Sequence, residues 1–243
     1  MKKNHYRTIF ISDIHLWNPK NKPLKLVKFL KSISFENLII VWDFIDYRQL
    51  DLFWKWWEQE TETLNYINNL SNNWVKITYI QWNHDRKLIC WNKIHINDMN
   101  ICRDFYYKTL KWKLYYITHG DCLDGINNNW NNLWKIWSFT FWLLLKLESL
   151  RNKNTFNDSY TSIAEKFEER IKKIRMPDKK INNKIIKFSK NLKCDWIILW
   201  HFHIARHHKL NWIDYFNLWD QLRNYSVVIE DLEWNLNLIK YTK

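Results

Sequence analysis

Glycine is almost absent from this chain of 243 residues, which holds 2 glycines and 18 tryptophans. At the usual frequency of ~7%, a domain of this length carries about 17 glycines. The two observed counts together come to 20, which is close to an ordinary glycine content. The shortage of one residue type is therefore matched by an excess of the other.

Several tryptophans stand in short polar segments between strand-like runs, where a hairpin turn is expected. Three such segments are Lys111-Trp112-Lys113, Asn211-Trp212 and Glu233-Trp234-Asn235. Asn-Gly or Gly-Asn would be usual in these places. Tryptophan is a poor choice where φ must be positive, because its Cβ clashes with the backbone there.

Long apolar runs and clustered cysteines are also missing. No stretch approaches the length of about 18 uncharged apolar residues that predicts a membrane-spanning helix. The first five residues lead directly into a strand-like run, without the apolar core of a signal peptide. The four cysteines are scattered and form no CxxC pair, which is typical of free thiols in a reducing compartment. We therefore expect a cytoplasmic protein.

Basic residues outnumber acidic ones by 38 to 25, which gives a net charge of +13. This balance favours anionic partners, such as nucleic acid, a phosphorylated substrate or an anionic membrane surface. AT-rich coding also enriches lysine, so the charge by itself does not choose among them. We find no nucleic-acid-binding motif, and we do not expect a nucleic-acid partner.

Strand-like and helical segments alternate along the chain, which predicts an α/β fold. The predicted strands are 8–15, 37–41, 75–80, 113–118, 195–199, 215–216, 225–229 and 236–241, and the predicted helices are 24–31 and 50–70. Residues 127–192 have a helical pattern that begins with the apolar run 136–145. We interpret the chain as one domain, 1–243, with a helical cap insert at 127–192.

Polar residues end or follow the predicted strands at the point where ligand sites of α/β sheets lie, at the carboxyl ends. They are Asp13, His15, Asp43, Asn83, His84, His119, His201 and His203. Taken singly, each histidine is better explained as a satisfied core or surface residue. Five segments with the same placement favour a common site, and seven O and N ligands among these eight residues suit two divalent ions. Asp43 is the natural bridging carboxylate.

The five segments resemble the motifs of the calcineurin-like metallophosphoesterases in order and spacing. The motifs are Asp13-x-His15, Asp43 within Trp-Asp-Phe-Ile-Asp, Asn83-His84-Asp85, His119-Gly120-Asp121 and His201-x-His203. The resemblance covers most of the chain and implies a four-layer α/β/β/α sandwich.

The resemblance also implies two metal sites and a catalytic pair. One metal would be held by Asp13, His15, Asp43 and His203, and the other by Asp43, Asn83, His119 and His201. His84 would stabilise the transition state or protonate the leaving oxygen, and Asp85 would orient it. We expect Mn²⁺, although Fe and Zn²⁺ also accept these ligands.

A narrower resemblance links the chain to the bacterial UDP-2,3-diacylglucosamine diphosphatases. It rests on residues 42–46, on His119-Gly120-Asp121 followed by Leu123-Asp124, on the insert, and on residues 215–220. It implies hydrolysis of a glycolipid diphosphate in lipid A biosynthesis, with the cap over the acyl chains and peripheral contact with the inner membrane face. Arg86, next to Asn83-His84-Asp85, is an expected contact with the diphosphate, or else a solvated loop charge. Phe141 and Leu144 of the apolar run are expected contacts with the acyl chains, or else part of a helix packed on the sandwich.

Two other functions remain open from the sequence. One is a generic phosphodiesterase or nucleotide phosphatase, because a similar insert does not exclude other phosphodiesters as substrates. The other is a basic binding protein whose metal site no longer works. Turnover of a generic phosphodiester separates an enzyme from a binding protein, and dependence on acyl chains separates the two enzymes.

The chain departs from the resembled family in a systematic way. The family has glycine at five motif positions where this chain has Trp17, Trp42, Trp82, Trp200 and Trp219. The other motif residues are intact, which argues against random decay. We hypothesise that the source organism reads UGA as glycine and that the gene was translated with UGA as tryptophan. Some of the 18 tryptophans would still be true tryptophan.

Overall fold

The computed structural model describes residues 3–12, 14–16, 22–41, 44, 58–80, 99–109, 111–118, 178–192, 194–199, 206–210, 213–217 and 225–241. The helices in these ranges are α1 (Pro23–Ser32), α2 (Glu58–Asn72) and α3 (Asp178–Leu192). The strands are β1 (Asn4–Ser12), β2 (Ile33–Val41), β3 (Lys76–Ile80), β4 (Met99–Cys102), β5 (Phe105–Lys108), β6 (Leu114–Ile117), β7 (Trp196–Leu199), β8 (Arg206–Leu210), β9 (Ile213–Asn217), β10 (Ser226–Glu230) and β11 (Leu236–Lys240).

The first sheet has the strand order β11-β10-β1-β2-β3-β4. Strands β1 to β4 run parallel, and β10 and β11 are antiparallel additions at one side. The central strands β1 and β2 are nearly continuous apolar runs, because a parallel sheet is covered on both faces.

The second sheet has the order β5-β6-β7-β9-β8. Its central strands β6, β7 and β9 are parallel, while β5 and β8 pair antiparallel at its two sides. Both sheets therefore carry a parallel centre, and the carboxyl ends of the parallel strands in each sheet lie side by side.

Alternate residues of β1 enter two different cores, as the two-residue period of a strand requires. Ile9 and Ile11 belong to the core in which helices α1 and α2 cover the first sheet. Phe10 belongs to the core between the two sheets, together with Ile117 and Phe216 of the second sheet. This layering confirms the predicted α/β class and the sandwich of two sheets.

The sequence of helix α1 explains where the helix begins and which side of it is buried. Pro23 occupies the first turn, where its missing N–H costs no hydrogen bond. Leu26, Val27 and Leu30 recur on one side and are buried. The helix ends directly at Ile33, the first residue of β2, so it leads straight into the sheet.

Every predicted strand has an observed counterpart, although β1 ends at Ser12 and Ile14 and His15 lie beyond it; helix 24–31 is confirmed as α1. Of helix 50–70, the part from residue 58 onward is confirmed as α2, and residues 50–57 lie outside the described ranges. Strands β4, β5 and β8 were not predicted from the sequence.

The chain divides into two compact units, 1–120 with 189–243 and 121–188. Residues 127–177 lie outside the described ranges, so the cap insert at 127–192 stays a prediction. Within the described residues, no helix is long and apolar enough to cross a membrane.

Candidate active site

Three strand ends of the first sheet lie level with one another. Ser12 pairs with Val41, and Val41 pairs with Ile80, so β1, β2 and β3 stop at the same row of the sheet. The predicted site residues Asp13, Asp43, Asn83 and His84 each follow one of these ends within four positions. The register therefore brings the attachment points of three motifs to one place.

The second sheet brings two more motifs to its own strand ends. The backbone N–H of Thr118 donates to the carbonyl oxygen of Ile198 at 3.2 Å, which aligns the end of β6 with that of β7. His119 follows Thr118 directly, and His201 follows Leu199, the last residue of β7, by two positions.

The strand ends of the two sheets meet in the core between them. Val41 and Ile80 pack in the same buried cluster as Ile117 and Ile198. We call the segments that follow β1, β2, β3, β6 and β7 the carboxyl-end rim. All five motifs begin at this rim.

His15 is the predicted metal ligand that the structure describes, and its backbone is unusual. Its φ is 45°, in the left-handed region that few residues other than glycine adopt. Strain of this kind costs of order 1–3 kcal/mol and concentrates at functional sites. The His15 side chain is half-buried.

A hydrogen bond joins the first two motif segments. The N–H of Leu16 donates to the carbonyl oxygen of Phe44 at 2.9 Å. Ile14, Leu16 and Phe44 are all buried. Their burial anchors the segment that carries His15 against the segment that carries Asp43.

The remaining predicted site residues lie outside the described ranges. They are Asp13, Asp43, Asn83, His84, Asp85, Arg86, His119, Phe141, Leu144, His201 and His203. Within the described residues, no group of three or more His, Cys, Asp and Glu side chains could hold a metal ion. The carboxylate, imidazole and amide donors suit divalent ions, and the strained turn at His15 fits a ligand held at the rim. The metal ligands stay a prediction.

The two described cysteines have the properties of structural thiols. Burial raises the pKa of Cys102 to about 11, with a smaller contribution from Asp104, and burial raises the pKa of Cys194 to about 11. Thiols with such pKa values remain protonated at neutral pH and are poor nucleophiles.

A buried polar cluster that sequence reasoning missed lies away from the carboxyl-end rim. The hydroxyl of Tyr107 in β5 donates to the fully buried carboxylate of Glu230 in β10. Tyr107 is also 2.6 Å from the hydroxyl of Thr8 in β1, and Arg7 Nη1 lies 4.0 Å from Glu230 Oε1. Burial raises the pKa of Glu230 although Tyr107 and Arg7 oppose it. The cluster connects the two sheets. In the sequence, the glutamate at the end of the apolar run Ser226–Glu230 is the one feature that indicates a buried charge.

Comparisons with known proteins find similarity in three dimensions and none in sequence. No family model matches the chain, and no curated protein matches it. A hypothetical protein from Pyrococcus horikoshii has a similar structure, with a TM-score of 0.50 and 10% identity, covering 98% of this chain and 89% of that one. That likeness shows a shared fold alone.

Other similar structures come from proteins with a stated activity. An archaeal phosphodiesterase has a TM-score of 0.47 and 16% identity over 96% of this chain and 98% of its own. A phosphopantetheinyl hydrolase from Mycobacterium tuberculosis has a TM-score of 0.41 and 11% identity over 91% of this chain and 92% of its own.

Proposed function

We propose that this protein is a metal-dependent phosphoester hydrolase whose active site lies at the carboxyl-end rim. The observation that carries the proposal is the hydrogen bond from Leu16 to Phe44, which joins the segment of His15 to the segment of Asp43. These segments must lie together if Asp43 is to bridge two metals. The level ends of β1, β2 and β3 support the same placement for the Asn83-His84 segment.

Seven side chains would hold two divalent ions, most simply Mn²⁺. They are Asp13, His15, Asp43, Asn83, His119, His201 and His203. When bound, a metal pair of this kind supplies a water of lowered pKa and neutralises charge on the phosphoryl oxygens.

The residues around the metals would complete the site. His84 would stabilise the transition state or protonate the leaving oxygen, and Asp85 would orient the His84 ring. The guanidinium of Arg86 pairs with a phosphate of the substrate.

The finer proposal names UDP-2,3-diacylglucosamine as the substrate, hydrolysed to UMP and diacylglucosamine 1-phosphate. Its support is the resemblance of residues 42–46 and 215–220 to the enzymes of that reaction. The apolar run 136–145 has Lys135 and Lys146 beside it. This composition suits a helix that binds acyl chains at an anionic membrane surface.

Two alternatives make different demands on the same rim. A generic phosphodiesterase or nucleotide phosphatase needs the metals and His84, but no acyl-binding cap. A basic binding protein needs neither turnover nor His84. The polar residues at all five strand ends favour an enzyme over a binding protein.

A substrate panel tests both levels of the proposal. The protein to use carries Trp17→Gly, Trp42→Gly, Trp82→Gly, Trp200→Gly and Trp219→Gly, and we call it the glycine-restored protein. With Mn²⁺ it should hydrolyse a small chromogenic phosphodiester and, faster, the acylated UDP-sugar. Turnover that does not depend on acyl chains would favour the generic enzyme, and metal binding without turnover would favour the binding protein.

Substitutions in the cap sharpen the substrate assignment. Phe141→Ser and Leu144→Ser each remove an apolar contact worth about 1.5–3 kcal/mol, so hydrolysis of the acylated substrate should fall by roughly 10- to 100-fold. The small chromogenic substrate is the matched control and should be hydrolysed at an unchanged rate. Equal loss on both substrates would mean that these residues only stabilise the fold.

A further inference from the structure

Tryptophan is concentrated at left-handed backbone positions. Five described residues other than glycine have a positive φ, and three of them are Trp74, Trp112 and Trp234, with φ values of 70°, 63° and 64°. The described ranges contain one further tryptophan, Trp196. Three of the four described tryptophans therefore adopt the left-handed conformation, in which a side chain with a Cβ is unfavourable.

Trp74 ends helix α2 in the position that glycine ordinarily takes. Its N–H donates to the carbonyl oxygen of Ser71 at 3.1 Å, and the N–H of Val75 donates to the carbonyl oxygen of Leu70 at 3.1 Å. These two bonds make a Schellman motif, in which the left-handed residue after the helix is usually glycine. The indole of Trp74 is 95% exposed, so no packing explains its presence.

Trp112 closes the hairpin between β5 and β6. The N–H of Thr109 donates to the carbonyl oxygen of Lys113, and the N–H of Trp112 donates to that of Thr109, both at 3.0 Å. This is the bonding of a three-residue hairpin loop whose last residue is left-handed and commonly glycine. Trp112 is 77% exposed, and Lys108 Nζ lies 4.0 Å from the centre of its ring.

Trp234 repeats the arrangement in the hairpin between β10 and β11. The N–H of Asp231 donates to the carbonyl oxygen of Asn235, and the N–H of Trp234 donates to that of Asp231, both at 3.1 Å. Two hairpins from different sheets thus share one bonding pattern and place tryptophan at the same left-handed position.

Trp196 has the surroundings of a true tryptophan. It lies in strand β7, and its ring is 5.1 Å from the ring of Tyr115 and 5.6 Å from that of Phe216. The ammonium of Lys113 lies 4.5 Å from its ring centre. A strand position with aromatic neighbours favours tryptophan, because the indole fills the space between them.

We infer that residues 74, 112 and 234 are glycine in the natural protein, and that Trp196 is tryptophan there. The backbone at the three positions is the one that glycine adopts without a Cβ clash, and the exposed indoles do not compensate for that clash. A UGA codon that the source organism reads as glycine accounts for all three. The inference does not rest on the proposed function, because none of these turns belongs to a motif.

Peptide mass spectrometry of the protein from its source organism tests the inference directly. Trypsin releases residues 224–240, which contain Trp234 alone, and residues 194–206, which contain Trp196 and Trp200. We expect glycine at 234 and, in the second peptide, tryptophan at 196 beside glycine at 200. Tryptophan at 234, or glycine at 196, would overturn the inference.

Recombinant variants give a second test that needs no native material. Trp74→Gly and Trp234→Gly should each raise the folding equilibrium constant by about 5-fold, since they remove a left-handed Cβ. Trp112→Gly should gain less because it also loses the contact with Lys108.

The matched controls are Trp74→Ala and Trp234→Ala, which remove the indole and keep the Cβ. They should show no gain. Equal gains for alanine and glycine would overturn the inference, because loss of an exposed indole would then be the cause.

Discussion

Both rims of the sandwich carry tryptophans at positions where we expect glycine, and the surroundings of the two groups differ. At the amino-end rim, which we define as the turns 73–75, 109–113 and 231–235, the exposed indoles of Trp74 and Trp112 project into solvent. The turns 109–113 and 231–235 come from different sheets and are linked by Lys111 Nζ, which lies 3.3 Å from Asn235 Oδ1. At the carboxyl-end rim, Trp42 and Trp200 directly follow β2 and β7, and Trp82 comes two residues after β3. Each is next to a predicted metal ligand in the sequence.

This difference in surroundings separates two consequences of a large side chain. A largely exposed indole at the amino-end rim, such as that of Trp74 or Trp112, strains one backbone position and lies outside the core. An indole at the carboxyl-end rim would have to share space with the metal ligands. We therefore expect the amino-end tryptophans to reduce stability slightly, and the carboxyl-end tryptophans to reduce activity.

Positive φ also has different meanings at the two rims. His15 adopts φ of 45° at the carboxyl-end rim, where its side chain is a predicted ligand. Trp112 adopts φ of 63° in a hairpin whose bonding suits glycine. The backbone angle alone does not distinguish a predicted ligand from a position where glycine is expected, so the distinction rests on the neighbouring residues.

The largest expected effect is loss of the bridging ligand at the carboxyl-end rim. Asp43→Ala in the glycine-restored protein should lower kcat by more than about 100-fold, since outer partners of metal ligands alone contribute 10- to 100-fold. Glu36→Ala removes an exposed carboxylate that pairs with His5 at 3.6 Å, and it is the control. A wild-type rate for Asp43→Ala would refute the two-metal assignment.

Replacing His84 separates proton transfer from metal binding. His84→Ala should lower kcat by about 10²–10⁴-fold, the usual contribution of a general acid. Metal content measured on the same sample should be unchanged, because His84 is assigned to the phosphate. A parallel loss of metal would show that His84 is a ligand instead.

Restoring glycine at the five motif positions 17, 42, 82, 200 and 219 should raise both stability and activity. Overpacking typically costs about 1–3 kcal/mol per site. Five such sites would remove much of a stability of about 5–15 kcal/mol. Denaturant unfolding of the chain with all 18 tryptophans and of the glycine-restored protein measures the difference. If the chain with all 18 tryptophans is equally stable and fully active, this expectation is wrong.

The buried cluster around Glu230 should affect stability without affecting catalysis. Tyr107→Phe removes the hydroxyl that donates to Glu230, which should cost about 1–3 kcal/mol in the free energy of unfolding. The kcat of the glycine-restored protein should not change, because the cluster lies away from the carboxyl-end rim. A large fall in kcat without a fall in stability would show that the two regions are coupled.

The smallest expected effect is a change in pH dependence. The folded pKa of Glu230 is raised, so its contribution to stability is fully present below the unfolded pKa and is lost as the pH rises through the folded value. Glu230→Gln keeps an acceptor for Tyr107 and removes this titration. Unfolding measured from acidic to neutral pH should show a flatter profile for Glu230→Gln; an unchanged profile would contradict the assignment.

The sequence predicted the buried strands and missed three strands at the sides of the sheets. Strands β1, β2 and β10 were readable because burial on both faces requires apolar, β-branched runs. Strand β4 lies at the side of the first sheet, and β5 and β8 lie at the two sides of the second. Such strands are short and carry polar residues, so no local pattern distinguishes them from loops.

For the candidate site, the sequence predicted which residues belong to it but not the tertiary contacts that hold them. Motif order indicated which strand ends carry ligands, and the register of β1, β2 and β3 brings those ends together. The strained backbone at His15 and the contact between Leu16 and Phe44 arise from tertiary packing. The pair Tyr107 and Glu230 is 123 residues apart in the chain, and no sequence periodicity links residues at that separation.

Metal stoichiometry of the glycine-restored protein tests the central claim most directly. Titration with Mn²⁺, followed by elemental analysis of the dialysed protein, should give two ions per chain, and Asp43→Ala should retain fewer. Failure of the folded glycine-restored protein to bind any divalent ion would contradict a phosphoesterase site at the carboxyl-end rim.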